Sequence, residues 1–460
     1  MSKDLQSFLK LVEKQYPDSL LRIQDPIDPN TFEVTALLEH LDRRNIPKIT
    51  LFENIKNLEG TPSRFPLLHN AFVTRELCAV SLDMPPADYK MELTQEFARR
   101  EREPGKTVVI PAKEAPCKQT VLTGDKADVR KLPIGMHHKL DVGPYLTMVC
   151  VMKSPRDNFY DMTFTKNLIK GPRKMSISSH VHHHLDTLVG EYERENRKAP
   201  VAIVLGHHPA FYLSTCCLTA YGNDDYSTAA SFLQEPMRLT ASETWGEDFL
   251  VPADAEIIIE GEIPVGVRET QNPFGEIMGY YQAECKMPVI EVTAITYRDG
   301  AIMQGIFPGH MEHWILGGIP KEGSTYNAIK KNVPGVTAVH LPPSGCGRVS
   351  CYISLKKEFE NEPRKAGMQA FIEMPNLKFA VVVDEDVDVY NEREVLWAMV
   401  TRTWWDSDLQ LINKVQSFRG WLGDAIAIVD ATRPKNRTFP IKNEIPQEAL
   451  DRIQIERYLK

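Results

Sequence analysis

The chain has 460 residues, 42% hydrophobic and 25% charged, more than one hydrophobic core organises and far from the disordered and fibrous classes. Its net charge of -8, with no run of five or six Lys or Arg, excludes an electrostatic footprint for nucleic acid or anionic membrane and favours a small-molecule partner. Eight scattered cysteines without a C-x-x-C pair, no signal peptide and no long apolar window predict a cytoplasmic protein with free thiols and no membrane span.

In chain order, Leu5, Phe8, Leu9 and Val12 recur at helical spacing, as do Val34, Leu37, Leu38 and Leu41 before a β-rich run at Lys48 to Phe52. These predict a small α/β unit. The charged text from Met91 to Lys106, ending in Pro-Gly-Lys, predicts a solvated helix end, a turn and the first domain boundary. The middle third predicts strands at Thr107 to Ile110, Leu146 to Met152, Val201 to Leu205, Ala255 to Gly261 and Val289 to Tyr297. The last of these is answered by Ala301 to Gly305 across Asp299-Gly300, a hairpin signal. Strands in this number predict a β-barrel or sandwich.

From Val336 the pattern changes to strand (Val349 to Leu355), helix (Glu362 to Met374), strand (Phe379 to Val383), helix (Glu392 to Arg402) and strand (Ala425 to Val429). Asn391 with Glu394 caps the second helix, and a second α/β domain follows. Leu450, Ile453, Ile455 and Leu459 give the end of the chain either a subunit-docking helix or a frayed terminus.

Four segments concentrate chemistry. Asp161-Met-Thr-Phe-Thr-Lys166 leads to His180-Val-His-His-His184, four histidines in five residues. If that run is extended, His180, His182 and His184 share a face and can bind a divalent metal with Asp161; a solvated His-rich loop is the competing reading. Arg268-Glu-Thr-Gln-Asn-Pro-Phe-Gly-Glu276 presents Glu276 from a tight turn, suited to general acid duty if buried, or merely exposed if not. Gly206-His-His-Pro209 follows an apolar strand, where ligands often bind, although a plain turn explains it equally. Lys378 opens Phe-Ala-Val-Val-Val-Asp384-Glu-Asp386, where an ammonium can hold a phosphate and the acids can simply be solvated.

The order of these segments, with Asp128-Val-Arg-Lys-Leu-Pro133, His137-His138, Asp141-Val-Gly-Pro-Tyr-Leu-Thr147, Val251-Pro-Ala-Asp-Ala-Glu256 and Asn272-Pro-Phe-Gly-Glu276, resembles the UbiD-type carboxy-lyases that use prenylated FMN, from about Leu122 to Arg402. The resemblance implies an α/β (α+β) fold of three parts: an N-terminal α/β domain over 1–105, a split β-barrel flavin domain over 106–325, and a C-terminal α/β oligomerisation domain over 326–460. It implies non-oxidative, reversible decarboxylation of an aromatic or conjugated acid, with the modified flavin as electron sink. Further implied are a divalent cation, usually manganese, a potassium ion, a flavin prenyltransferase as cofactor supplier, and a homodimer or homohexamer.

Carried over by position, the resemblance puts the metal at Asp161 and His184 with a third ligand at Glu243 or Glu235, Glu243 preferred. Cofactor contacts fall at Thr163, Phe164, Thr165, His183, Gly206, His207 and Lys378. The family's catalytic Arg is replaced by Lys166 and its first Glu by Gln271, whereas Glu276 keeps the second. Lysine cannot make the bidentate clamp of a guanidinium, and glutamine cannot transfer a proton, so the acid/base role falls to Glu276. A weaker clamp points to a substrate that brings its own activation, such as an electron-poor aryl acid or an aryl-CoA thioester like phthaloyl-CoA. An ordinary FMN-dependent reductase and a catalytically silent subunit of a carboxylase complex are the competing functions.

Overall fold

A computed structural model describes residues 2–179, 183–415 and 422–458. The N-terminal unit starts with helix Leu5–Gln15, which buries Leu5, Phe8, Leu9 and Val12 and is capped by Asp4 and Ser7 in a reciprocal box. Strands Leu20–Ile23, Ile49–Phe52 and Leu67–His69 follow, and the fourth strand of their sheet is Met303–Gln304, far along the chain.

That fourth strand corrects the hairpin expected at Asp299-Gly300. Met303–Gln304 runs parallel to Leu67 and Leu68 instead of folding back on its predecessor. Its predecessor, Cys285–Tyr297, has no free edge to offer: Ala294 to Tyr297 pair with Thr120–Thr123 on one side and with strand Ile257–Ile263 on the other. Glu256 accepts the Ile302 N–H at 3.0 Å, and Arg298 pairs with Asp4 at 2.8 Å, steering the chain towards the N-terminal unit.

The central unit is a closed barrel of strands β1 (Tyr145–Lys153), β2 (Tyr160–Gly171), β3 (Lys174–Ile177), β4 (Ala199–Leu205), β5 (Ile257–Ile263) and β6 (Cys285–Tyr297). The ring runs β5-β4-β1-β2-β3-β6 and closes by β6 pairing with β5, every pair antiparallel. Closure leaves no edge to protect. Strands β1 and β4 are buried along nearly their whole length, which is why they read as unbroken apolar runs. Thr107–Val109, expected among the barrel strands, lies outside it and pairs with Met237 to Leu239 in a separate small sheet.

The long helix Met311–Asn332 then leads into a five-stranded sheet ordered Val336–His340, Ser350–Leu355, Phe379–Asp384, Ile426–Ala431, Leu409–Ile412. The boundary expected at 325/326 falls inside this helix. Helices Glu362–Glu373 and Glu392–Arg402 occur where the pattern placed them, and Asn391 caps the latter by accepting the Arg393 N–H and donating to Glu394. The end of the chain forms only a short helix, Gln447–Arg452, with Leu450, Ile453 and Ile455 exposed; Leu459 lies outside the described residues. No helix among the described residues is long and apolar enough to cross a membrane.

Glu322, on the long helix, ties the N-terminal unit to the C-terminal one. Its buried carboxylate pairs with Arg75 of the N-terminal unit at 2.9 Å and with His340 of the C-terminal sheet at 2.8 Å, and accepts from Thr94 and the Leu341 N–H. Burial pushes this carboxyl up, but Arg75 and His340 outweigh it and hold it at about 2. Its stabilisation is therefore complete above the ordinary value of 4.5 and is lost as pH falls through about 2. Glu322→Gln leaves Arg75 buried without its counter-charge and should cost about 3–5 kcal/mol, read as a lower urea midpoint at neutral pH.

Candidate active site

At the barrel mouth a cavity of about 390 Å³ is walled by β2, the Glu276 turn, the long helix and Arg348 of the C-terminal unit. Of the residues singled out from sequence, it brings together Thr163, Phe164, Thr165, Lys166, His183 and Glu276. A larger surface hollow, about 610 Å³ beside Lys153 and Tyr192, holds none of them.

Glu276 is buried rather than exposed on its turn, at 3% accessibility. The turn joins the short strands Phe274–Gly275 and Tyr281–Gln282, closed by Glu276 N–H to Tyr280 O and Gly279 N–H to Glu276 O, both 2.9 Å. Asp141 staples it by accepting from Gly275 N–H and His138 N–H at 2.9 Å each. A Cβ at Gly275 would lie 2.2 Å from the His138 ring, so any side chain there must displace that ring. The pay-off of this rigidity is a fixed carboxylate: Glu276 Oε1 pairs with Lys166 Nζ at 2.9 Å, and Oε2 accepts the Ile277 N–H at 3.1 Å.

Gln271 stands beside this pair but behind the wall. Its amide is fully buried, accepting from Ser176 Oγ at 2.7 Å and donating to Ser178 Oγ at 2.6 Å. Ser178 lines the cavity, so Gln271 is linked to it through that hydroxyl. Three cavity groups had no signal in the sequence reading: His313 and Lys321 on the long helix, and Arg348. Burial, then Lys166 and Arg348, hold the His313 imidazole well below its ordinary range, so it is neutral; its Nδ1 accepts the Gly309 N–H at 3.2 Å, placing the proton on Nε2.

Behind β2, His184 Nδ1 lies 2.8 Å from Asp161 Oδ1, and that hydrogen bond raises the imidazole's pKa. Asp161 Oδ2 is buried with no hydrogen-bond partner among the described residues. The third group here is Asp225, at the start of helix Asp225–Leu233; its carboxylate accepts the Met162 N–H at 2.8 Å. Burial and then the charge of Asp161 push its carboxyl up to about 7. Two carboxylates, one with an oxygen that has no partner among the described residues, and an imidazole are donor types suited to a divalent cation.

Glu243 and Glu235 are not part of this cluster. Glu243 pairs with Lys118 at 3.3 Å, beside Glu260, and Glu235 accepts the Lys3 N–H at 2.6 Å. His180 and His182 lie outside the described residues, and His184 opens a helix, His184–Arg194, rather than continuing a strand.

Gly206 and His207 are likewise away from the cavity. A Cβ on Gly206 would lie 2.5 Å from Glu256, and His207 stacks on Phe211 at 4.4 Å while His208 meets Phe8 of the first helix at 5.5 Å. This turn fastens the N-terminal helix to the barrel. Lys378 donates to Gly423 O at 3.0 Å, and its neighbour Asn376 is the residue that reaches the cavity. The cavity wall also holds Thr165 and the buried Thr147 hydroxyl, which has no partner among the described residues.

The sequence matches family models of 3-octaprenyl-4-hydroxybenzoate carboxy-lyase in three parts: the N-terminal domain over residues 13–97, the Rift-related domain over 108–311 and the C-terminal domain over 314–419. It is 29% identical over 425 residues to the anhydromevalonate phosphate decarboxylase of Methanothermobacter thermautotrophicus, covering 91% of this chain and 93% of that enzyme. The fold superposes on an evolved dimeric form of the UbiD-class enzyme HmfF from Pelotomaculum thermopropionicum, in complex with prFMN, with TM-score 0.89, 32% identity and coverage of 99% and 100%. It also superposes on apo 3,4-dihydroxybenzoic acid decarboxylase, AroY, of Klebsiella pneumoniae with TM-score 0.87, 26% identity and coverage of 98% and 99%.

Proposed function

This chain belongs to the 3-octaprenyl-4-hydroxybenzoate carboxy-lyase family, the UbiD class of decarboxylases, and from that premise we propose that it removes a carboxyl group from a conjugated or aromatic acid, reversibly and without net redox change, with prenylated FMN bound in the barrel cavity. The observation that carries the proposal is the buried Lys166–Glu276 pair at 2.9 Å on the cavity wall.

Each residue's part follows from its chemistry. Lys166 offers the substrate carboxylate a compact positive charge, one point of attachment rather than two. As the carbon–carbon bond breaks, CO₂ leaves and the carbon retains the electron pair; the proton it then needs comes through Glu276, which takes one up from solvent once Lys166 has turned from it to the substrate carboxylate, and is left ionised again by the transfer. Gln271, bonded to Ser176 of β3, to Ser178 and to the Lys166 carbonyl, keeps β3 and the Lys166 backbone in place and moves no proton. Prenylated FMN, when bound, supplies the electron sink for that pair. Asp161, His184 and Asp225 would hold a divalent cation such as manganese against the flavin phosphate.

The archaeal relative's name, a decarboxylase of a phosphorylated acid, widens the substrate class beyond aromatic rings. A homo-oligomer is supported by apolar side chains left exposed on and beside the C-terminal helices, among them Ile372, Val400, Trp404 and Trp405. Exchange of labelled carbon dioxide into the carboxyl group of an added acid, with the flavin's redox state unchanged, tests the proposal.

A further inference from the structure

Away from the barrel-mouth cavity, three potential metal ligands meet where the N-terminal unit touches the start of the long helix. Glu39 and Asp42 stand three residues apart on helix Glu33–Arg43 and so share a face. His310, at the N-cap of helix Met311–Asn332, joins them, and one ligand atom from each of the three lies within 4.8 Å of the other two.

The two acids alone would be an ordinary helix face in water, but the histidine beside them is buried, at 3% accessibility. Neither of its ring nitrogens has a hydrogen-bond partner among the described residues, and its side chain makes no cap bond to the helix it precedes. Stacking on Phe307 at 4.9 Å occupies the ring face and leaves the nitrogens unsatisfied. Buried polar groups in that state are rare and destabilising, and a bound ion is one of the ways in which they are satisfied. Nε2 lies 3.8 Å from Asp42 Oδ2, too far for a hydrogen bond. An ion about 2.0–2.2 Å from nitrogen and oxygen alike fits between them. Arg43 pairs with Glu39 Oε1 at 2.7 Å, a solvent-exposed contact that is worth little and that an ion can share or displace. Asp42 and His310 also line a cavity of about 260 Å³, with room for water to complete the ion's shell.

We propose that Glu39, Asp42 and His310 form a further divalent-cation site, for zinc or a neighbouring first-row ion, that clasps the N-terminal unit to the start of the long helix. An imidazole with two carboxylates selects such ions over magnesium and calcium, which prefer oxygen ligands alone. The site shares no residue with the cluster at Asp161, and it does not depend on the carboxy-lyase reading. Its position still bears on the active site. Gly309, next to His310, donates to His313 in the cavity wall, so the ion fixes the entry to the helix that carries His313 and Lys321.

The test is a zinc titration of the full-length chain, dialysed free of metal and read against a chromophoric chelator, in the wild type, Asp42→Asn, Glu39→Gln and His310→Gln. Asp42 and Glu39 side chains are 31% and 43% accessible, so their variants keep the fold, which an unchanged melting temperature in chelator confirms. Every variant keeps Asp161, His184 and Asp225, so zinc taken up there cancels in the comparison. The wild type should bind one more zinc per chain than any of the three variants, or bind it at least about 10–100-fold more tightly. Zinc should also raise the wild-type melting temperature by more than theirs, and excess magnesium should not displace the additional zinc. Equal zinc uptake by the wild type and Asp42→Asn, full uptake by His310→Gln, or displacement by magnesium would each overturn the inference.

Discussion

Glu276→Gln should lower decarboxylation by about 10²–10⁴-fold, the range of a lost general acid, while the protein keeps its bound flavin. The amide is close to the carboxyl in size and can still meet the Ile277 N–H and Lys166, so the turn and the cavity survive. What it lacks is a proton to give. Single-turnover rates of CO₂ release and of hydrogen incorporation from deuterated water separate the two steps: the second should slow at least as much as the first. A variant that incorporates deuterium as fast as the wild type would assign the proton to another group.

Asp225→Asn should cost the divalent cation, with a fall in metal affinity of at least about 10–100-fold, the loss seen when even an outer partner of a metal ligand is removed. His184→Ala should do the same, and flavin content should drop with the metal in both. Glu243→Gln should leave metal and flavin untouched, because Glu243 is occupied with Lys118. Elemental analysis beside flavin absorbance reads all three variants. Metal lost from Glu243→Gln but retained in Asp225→Asn would restore the ligand set expected from sequence.

The difference between those two acids shows what the sequence conveys. Glu243 follows from its position in the family resemblance, and position along a chain does not report that helix Asp225–Leu233 packs behind β2. Asp225 follows Asp224, the helix cap, and an acid pair there reads as capping alone. Apolar runs such as Val201 to Leu205 were legible because both their faces are buried. Strand β2 was not, since Asp161, Thr163 and Lys166 interrupt its apolar pattern with groups that serve the site.

The long helix was missed for a similar reason. Pro320 and glycines 317, 318 and 323 argue against a helix, yet each glycine sits where another part of the chain comes close: Gly323 against Ala98 and Thr94, Gly318 against Leu341, Gly317 against Arg348. His313 and Lys321 lie on that helix, so missing it meant missing them. The Asp299-Gly300 turn was legible, but its hairpin partner was not, because strand pairing depends on which edges are already taken.

The central claim is that the flavin-loaded chain makes and breaks a carbon–carbon bond to a carboxyl group with no net redox change. The measurement that reads this most directly is exchange of isotopically labelled bicarbonate into the carboxyl group of an added conjugated acid, by the chain purified after co-expression with a flavin prenyltransferase. The account predicts label in the acid, deuterium in the decarboxylated product, a flavin mass matching the prenylated form and an unchanged flavin spectrum at the end. Turnover that consumes a nicotinamide and leaves the flavin reduced, or a correctly flavinated protein that exchanges no label with any acid tried, would contradict it.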